Sequence, residues 1–138
     1  MSRLTWDQYA LNIAVAAAAR SEDPYHQVGA ALMRPDHSLA AVGYNGAPSG
    51  VDIDWSDREN RRAYVIHAEA NALRFVKPGE VETLVTTMMP CSTCILLASA
   101  YGIKRVVYWL ELDPKVYDIA FTRALAAQCG IEIVKEKS

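Results

Sequence analysis

Apolar and polar positions follow each other along the chain in two rhythms, one typical of helices and one typical of strands. An alanine-rich apolar run over 6–20 follows Thr5, which can form a capping box with Gln8, and this pattern predicts a first helix. Two short β-prone runs at 27–33 and 39–44 are separated by a turn-forming cluster that contains proline, aspartate and serine. The first part of the chain therefore predicts a helix followed by an antiparallel hairpin.

The rest of the chain alternates strands and helices after a polar stretch. Glycines and a proline are dense at 44–62, which predicts an ordered functional loop without regular structure. A helix is predicted at 114–128, with Asp113 as its N-cap and Gly130 past its end. The other predicted elements are helices at 67–75 and 91–100 and strands at 83–87, 105–109 and 131–134.

Helical crossovers connect the last three predicted strands. Crossovers of this length join parallel strands, whereas the hairpin adds an antiparallel pair. The predicted fold class is α/β, a three-layer α-β-α sandwich around a five-stranded mixed sheet whose last strands are parallel. With 138 residues, 51% of them hydrophobic, the chain is expected to form a single domain over 1–138.

Composition narrows the classes of partner. The formal net charge is −2, so the sequence does not predict a positively charged surface that would attract a phosphate backbone. We therefore expect no long nucleic acid as a partner. No stretch approaches the roughly 20 apolar residues of a membrane span, and the N-terminus lacks the layout of a signal peptide. Three cysteines, an odd number, favour a reducing compartment. We therefore expect a cytoplasmic protein that does not contact a membrane.

One constellation of residues indicates chemistry. His67 and Glu69 are followed, 24 residues after the histidine, by a Cys-x-x-Cys pair formed by Cys91 and Cys94. One imidazole and two thiolates suit zinc, and three protein ligands leave the fourth position to a water whose pKa falls to roughly 7. The two cysteines, three residues apart at a helix start, can converge on one ion, and the positive end of the helix favours thiolate. The pattern predicts one catalytic zinc ion per chain.

Glu69 is predicted to be the general acid and base. It points away from the direction of His67 if the turn is already helical, so it reaches the activated water more easily than the metal. Two alternatives for the cysteine pair are a redox pair and half of a structural zinc site, and either leaves His67 and Glu69 without a role. A redox pair would follow the first strand of a thioredoxin-like arrangement, whereas this pair comes late in the chain.

The two motifs resemble the His-x-Glu and Pro-Cys-x-x-Cys signature of the zinc-dependent cytidine deaminase superfamily. Nearly the whole chain is covered, and histidine as the first ligand sets it apart from deaminases of free cytidine nucleosides. Within the superfamily the sequence is most similar to the deoxycytidylate (dCMP) deaminase family. The segments that carry this likeness are RSxDPxxQVGA at 20–30, GYNGxPxG at 43–50, HAExNA at 67–72 and GIKRVVY at 102–108.

The resemblance implies a cytidine deaminase-like fold and hydrolysis of dCMP to dUMP and ammonia, which feeds thymidylate synthesis. Glu69 would take a proton from the water that attacks C4 of cytosine and would deliver protons to N3 and to the leaving amine. The resemblance also implies that Asn45 binds the deoxyribose hydroxyl and that the backbone of Ala68 and Cys91 flanks the base. For Asn45, the alternative is a left-handed turn conformation before Gly46.

The predicted phosphate ligands are Arg58, Arg61 and Arg62, the basic cluster nearest to the site in sequence, and the alternative is a solvated charged face. Some family members place an arginine for the phosphate near 108–111, where this chain has none. The absence of cysteine and histidine at 51–64 argues against a second, structural zinc ion. The family further implies dCTP and dTTP as effectors and a homo-oligomer, either a hexamer or a dimer.

Other functions stay open at this point. A sister deaminase acting on guanine, or on adenosine in tRNA, would share the histidine-first motif, although the loop at 44–46 and the acidic total argue against tRNA. A non-catalytic zinc- or nucleotide-binding module would be expected to lose Glu69 first, and Glu69 is present. The lone histidines His26 and His37 are interpreted as surface or internally satisfied residues.

Overall fold

The computed structural model describes residues 2–137, and a five-stranded mixed sheet forms their centre. Its strands lie in the order β2-β1-β3-β4-β5, with β1 antiparallel to both of its neighbours and the last three strands parallel. The predicted hairpin and mixed sheet are thereby confirmed. The strands are β1 (Gly29–Met33), β2 (Leu39–Tyr44), β3 (Thr83–Met88), β4 (Arg105–Leu110) and β5 (Glu132–Lys135).

Helices cover both faces of this sheet. The helix α1 packs Ala10 and Leu11 against one face, while the core on the other face includes Ala72, Ile95 and Ala126 from three different helices. This arrangement confirms the three-layer α-β-α sandwich. Within residues 2–137 the helices are α1 (Trp6–Ala18), α2 (Arg58–Tyr64), α3 (Ala68–Leu73), α4 (Ser92–Ala100) and α5 (Ile119–Gln128).

The start of α1 confirms the predicted capping box. The Thr5 hydroxyl accepts a hydrogen bond from the Gln8 backbone N–H at 3.1 Å, and the Gln8 side chain accepts one from the Thr5 N–H at 2.9 Å. Asp7 in the first turn accepts two hydrogen bonds from the Arg105 guanidinium, which ties α1 to β4. None of the helices within the described residues has both the length and the apolar character needed to cross a bilayer.

Close packing of α3 on the sheet depends on one glycine. A Cβ atom built on Gly43 in β2 would lie 2.6 Å from the Ala72 nitrogen and 2.7 Å from the Ala68 carbonyl oxygen. These separations are far below a van der Waals contact, so only glycine allows α3 to lie so close to β2. The position of α3 on the sheet is therefore closely defined, and this matters because the helix begins at the predicted active site.

The predicted loop at 44–62 was wrong in its last part, because α2 occupies Arg58–Tyr64. Asp57 caps this helix, its carboxylate accepting hydrogen bonds from the N–H groups of Glu59 at 3.0 Å and Asn60 at 3.4 Å. None of the α2 residues is buried, so the helix leaves no apolar periodicity in the sequence. It is a surface helix that begins at a cap.

The predicted start of the last helix was also wrong. α5 begins after Asp118, whose carboxylate accepts a hydrogen bond from the Phe121 N–H at 2.9 Å. Asp113, the predicted N-cap, instead closes a turn in which the N–H groups of Val116 and Tyr117 both donate to its carbonyl at 3.0 Å. The segment 113–117 therefore bends beside the sheet edge rather than continuing as a helix.

Smaller differences concern element boundaries. α1 ends at Ala18 rather than near 20, β1 starts at Gly29 rather than at 27, and α3 ends at Leu73 rather than at 75. Cys91 immediately precedes α4 instead of lying inside its first turn. Helix ends are fixed by caps and local hydrogen bonds, which apolar periodicity resolves only to within a few residues.

Candidate active site

Two helix starts meet beyond the C-terminal end of β3. His67 is the N-cap residue of α3 and Cys91 is the N-cap residue of α4, both with extended backbone. An N-cap side chain usually accepts a hydrogen bond from the first turn of its helix, but neither of these does so. Both side chains instead point toward Cys94, which lies in the first turn of α4.

The three donor atoms fit a single zinc ion. His67 Nδ1 lies 3.3 Å from Cys94 Sγ and 3.6 Å from Cys91 Sγ, and all three donor atoms lie within 4.8 Å of one another. A tetrahedral zinc site with bonds of roughly 2.0–2.3 Å separates nitrogen and sulfur by about 3.6 Å. In the described part of the chain, no other His, Cys, Asp or Glu joins this cluster. The set therefore matches a catalytic site with three protein ligands.

The electrostatics of the cluster favour a thiolate. Hydrogen bonding to the Cys94 thiol, followed by hydrogen bonding to His67, lowers the pKa of Cys91. The same contact with Cys91, together with burial, raises the pKa of Cys94. The pKa of His67 is raised, chiefly by its hydrogen bond to Cys91. Because thiolate is the form of cysteine that binds zinc, Cys91 is prepared for metal binding, and Cys94 would lose its proton as the metal binds.

Glu69 is a buried carboxyl group beside this cluster. Its side chain belongs to the first turn of α3 and is 4% exposed. Burial raises the pKa of Glu69, and the nearby imidazole of His67 partly opposes that rise. A carboxyl group with a raised pKa holds a proton more readily than a free one, which suits a group that both takes and delivers a proton. Its placement agrees with the acid and base role predicted from the sequence.

A cavity of about 310 Å³ opens above these residues. Its floor includes His67, Ala68, Glu69 and Cys91, so two of the predicted zinc ligands and the carboxylate face the same space. The volume lies at the lower end of the range for small-molecule sites. The other residues predicted to contact substrate, among them Asn45, also line it.

Asn45 is the centre of a hydrogen-bond network on one wall of the cavity. Its Oδ1 accepts from the Val28 N–H at 2.9 Å, and its Nδ2 donates to the His26 carbonyl at 2.8 Å and to Asp23 Oδ2 at 3.2 Å. Among the described residues, His37 is the one non-glycine residue with a positive φ, at 71°. The alternative that Asn45 supplies a left-handed turn is therefore wrong, and its side chain instead fastens the segment 23–28.

The structure brings all three predicted phosphate ligands to the cavity, but they differ in their contacts. Arg58, Arg61 and Arg62 project from α2 and line the cavity opening. Arg61 is half-buried, donates a hydrogen bond to the Trp55 carbonyl at 3.0 Å and lies with its guanidinium 4.2 Å from the centre of the Tyr25 ring. Arg58 and Arg62 are exposed.

Several residues that line the cavity were not predicted from the sequence to belong to the site. His26, interpreted as a surface residue, lies at the opening, and Tyr117 comes from the turn that was predicted to be a helix. The pKa of Tyr117 is raised, first by burial and then by the charges of Cys91, Cys94 and Glu69. Neither residue belongs to a motif with the zinc ligands, so nothing in their spacing linked them to the site.

Comparison with known proteins gives a consistent result. The model of the cytidine and deoxycytidylate deaminase zinc-binding region matches residues 4–110. Deoxycytidylate deaminase of Mycobacterium phage D29 is 39% identical, and the match covers 78% of this chain and 97% of that protein. A probable deoxycytidylate deaminase of Drosophila melanogaster is 35% identical, and the match covers 76% of this chain but only 59% of that longer protein.

A solved structure shows the same fold over its full length. The dCMP deaminase of cyanophage S-TIM5, solved in complex with dCMP and dUMP, superimposes with a TM-score of 0.80. The two chains are 26% identical, and the match covers 99% of this chain and 100% of the phage protein. Thus the arrangement of strands and helices around the cavity is that of a structure known to hold a nucleotide.

Proposed function

Because this chain belongs to the family defined by the cytidine and deoxycytidylate deaminase zinc-binding region, we propose that it hydrolyses dCMP to dUMP and ammonia. The observation that carries this proposal is a buried carboxyl group, Glu69, beside a three-residue zinc site at the floor of one cavity. Three protein ligands leave room for a water, and the carboxyl group can move its protons.

In the proposed reaction, the zinc ligands and Glu69 have separate roles. Zinc held by His67, Cys91 and Cys94 would supply a water of lowered pKa near the cavity floor. Glu69 takes a proton from that water, which then attacks C4 of cytosine, and the carboxyl group next protonates N3. Glu69 then takes the remaining proton from the oxygen now bound to C4 and passes it to the amine, so that the C4–N bond breaks, ammonia leaves and the C4 carbonyl of dUMP forms. A proton acceptor and donor in this position typically contributes roughly 10²–10⁴ in rate.

Asn45 can contribute to sugar recognition in one specific way. Both Nδ2 hydrogens are already donated within the protein, whereas Oδ1 accepts one hydrogen bond and can accept a second. A sugar hydroxyl donates a hydrogen bond, so it is the partner that this amide can take. We therefore assign Asn45 to the deoxyribose hydroxyl, with the backbone of Ala68 and Cys91 beside the base.

A substrate panel tests the proposed function. Ammonia release is measured with dCMP, deoxycytidine, dCTP, guanine and adenosine, each with and without added dCTP as effector. We expect dCMP to have the highest kcat/KM. Turnover of guanine or adenosine with dCMP inert would reassign the enzyme to a sister deaminase. One zinc ion per chain with no turnover of any compound would instead favour a binding module.

Regulation and assembly extend the same proposal. We propose a cytoplasmic homo-oligomer, a dimer or hexamer, that responds to dCTP and dTTP and whose product feeds thymidylate synthesis. Support for assembly comes from large apolar side chains exposed on the helical face that carries the site, Phe75 at 62%, Leu96 at 54% and Phe121 at 55%. The three cysteines are free thiols, which agrees with a reducing compartment. Sedimentation velocity with and without the two nucleotides tests the assembly.

A further inference from the structure

The turn at 112–118 forms a second wall of the cavity and has little packing of its own. It connects β4 to α5 and places Asp113, Val116 and Tyr117 in the cavity lining. Leu112 is buried at 4% exposure, whereas the following residues of the turn are all exposed. Within residues 2–137, the hydrogen bonds of the turn join its own residues or the start of α5. The position of this wall therefore depends on contacts at the two ends of the turn.

Four side chains join the two ends of this turn. Glu111, the last residue before the turn, has its carboxylate 3.7 Å from the Arg123 guanidinium of α5 and 3.3 Å from the Lys135 ammonium of β5. Arg123 also donates a hydrogen bond of 2.7 Å to the hydroxyl of Tyr108 in β4. We call Tyr108, Glu111, Arg123 and Lys135 the clasp. In the clasp, the strand before the turn, the helix after the turn and the last strand of the sheet meet at one carboxylate.

A buried tyrosine distinguishes the clasp from ordinary surface ion pairs. The side chains of Glu111, Arg123 and Lys135 are between 40% and 55% exposed, and an isolated ion pair at such exposure contributes little because water screens it. Tyr108, in contrast, is 1% exposed. Hydrogen bonding to the Tyr108 hydroxyl is the main cause that lowers the pKa of Glu111, and Lys135 and Arg123 lower it further. The carboxylate is therefore charged at neutral pH and bound from three sides.

Tyr108 also supports the wall from behind. Its side chain packs in one cluster with Met89 and Leu112, both of which line the cavity. The Met89 N–H donates to the Leu110 carbonyl at 2.8 Å, so the ends of β3 and β4 are joined at the same place. In the described chain, neither Glu111 nor any other member of the clasp lines the cavity. An effect of the clasp on substrate must therefore act through the wall.

We propose that Glu111 and Arg123 are positioning residues, which fix the turn 112–118 as a wall of the cavity by joining the strand before it to the helix after it. The inference rests on the proposed function and adds to it two residues that do not touch the substrate. A chain segment whose ends are joined has fewer conformations to lose when a ligand binds against it. The clasp therefore lowers the KM for dCMP and leaves zinc binding and proton transfer unchanged.

Steady-state kinetics of Glu111→Gln test the positioning role, because this change removes the charge and keeps the shape of the side chain. We expect the KM for dCMP to rise about threefold, with kcat within about twofold of wild type and one zinc ion per chain. Glu80→Gln is the matched control. Glu80 also binds an arginine at the surface, Arg34 at 2.9 Å, but it precedes β3 and so lies at the end of that strand away from the cavity. The KM of the control should equal that of wild type.

A double variant tests whether Glu111 and Arg123 act as one unit. Arg123→Gln alone should raise the KM about as much as Glu111→Gln does, and Arg123→Lys, which keeps the charge, should bring it back toward wild type. Because both Gln changes break the same contact, the double variant should also raise the KM about threefold rather than about ninefold. A multiplicative increase would overturn the inference, because it would indicate two independent surface effects.

Hydrogen exchange gives a readout that needs no substrate. The N–H groups of Val116 and Tyr117 donate to the Asp113 carbonyl at 3.0 Å, so their exchange rates report how long the turn stays closed. In Glu111→Gln these amides should exchange about threefold faster than in wild type, whereas Glu80→Gln should leave them unchanged. Unchanged exchange in Glu111→Gln would overturn the inference even if the KM rises, because the clasp would then not hold the turn.

Failure of this inference can be told apart from failure of the proposed function. A wild-type protein that turns over no compound rejects the proposed function, and hydrogen exchange then still decides whether the clasp holds the turn. Deamination of dCMP with an unchanged KM in Glu111→Gln supports the deaminase and rejects the positioning role. Urea unfolding of each variant measures its stability. If Glu111→Gln does not fold, Tyr108→Phe, which removes only the hydroxyl from the clasp, takes its place with the same expected rise in KM.

Discussion

The floor and the opening of the cavity differ in burial and in how the helices that carry their residues are held in place. At the floor, Glu69 is 4% exposed and lies in a helix that packs closely on the sheet through Gly43. At the opening, Arg58 and Arg62 are exposed on a short helix without a buried residue. The residues proposed to react are thus held by the core of the protein, and the arginines predicted to bind the phosphate are held by surface contacts.

This difference predicts different consequences of substitution. Changes at the floor should remove zinc, the reaction or the stability of the fold, whereas changes at the opening should alter which substrate is preferred. The fixed position of the floor follows from dense packing, since a packed interior resists small displacements. A surface helix is held by a cap and by a few side-chain contacts, each of which contributes modestly.

The largest effect is expected for Cys94→Ala. Loss of one of three ligands should remove zinc and reduce deamination by more than about 10³-fold, because the activated water is lost with the metal. Metal analysis and ammonia release measure the two effects. Cys129→Ala is the matched control, since Cys129 lies outside the cluster and its variant should keep one zinc ion per chain. A Cys94→Ala protein with wild-type activity would show that Cys94 is not a zinc ligand needed for the reaction.

Glu69→Gln separates proton transfer from metal binding. The amide has nearly the same shape as the carboxylate but cannot accept a proton, so turnover should fall by roughly 10²–10⁴ while zinc content stays at one per chain. Single-turnover kinetics together with metal analysis provide the measurement. Loss of zinc in this variant would show that Glu69 acts as a ligand. Glu69 could then not be assigned to proton transfer alone.

Gly43→Ala tests whether the floor depends on packing. The added methyl group would overlap the backbone of α3 and should destabilise the protein by about 1–3 kcal/mol, measured by urea unfolding. Gly46→Ala is the control, because a Cβ atom there meets nothing within 4 Å and the φ angle is not positive. Its change in the free energy of unfolding should stay within about 0.5 kcal/mol. If the two variants had equal free energies of unfolding, close packing of α3 against Gly43 would not explain the fixed position of the floor.

The smallest effect is expected at the cap of α2. Asp57→Ala removes the acceptor for two N–H groups and should cost the helix about 1 kcal/mol, which would raise the KM for dCMP about fivefold with little change in kcat. Asp57→Asn keeps a capping oxygen and should behave like wild type. If Asp57→Ala lowered kcat as strongly as it raised KM, the opening and the floor would be coupled, and the contrast between them would be weaker than proposed.

The residues of the floor could be grouped from the sequence because they belong to short motifs. His67 and Glu69 are two residues apart and Cys91 and Cys94 are three apart, so local helix geometry alone brings the members of each pair together. The identity of the ligands then indicates zinc and its chemistry. The strand and helix alternation was also predicted correctly, since buried strands and helices leave an apolar pattern.

The opening could not be predicted in the same way because its residues are brought together by tertiary contacts. His26 faces the cavity because the Asn45 amide fastens its segment, and α2 has no apolar period that would reveal it. The segment that carries Tyr117 was predicted as a helix because Asp113 is an acceptable N-cap, although Asp118 is another. Only the structure shows that Asp118 caps the helix and that the Asp113 carbonyl closes the turn before it.

The network around Asn45 also bears on how the protein ages. Asn45 precedes Gly46, and a small following residue ordinarily leaves an asparagine amide open to attack by the next backbone nitrogen, but here the amide is buried and the Gly46 N–H donates to the Ile66 carbonyl at 3.0 Å. Conversion to aspartate would remove both donated hydrogen bonds and set a second negative charge beside Asp23. The folded state therefore protects this amide from deamidation, and mass spectrometry of old preparations should find the added mass at Asn45 chiefly in protein that has unfolded.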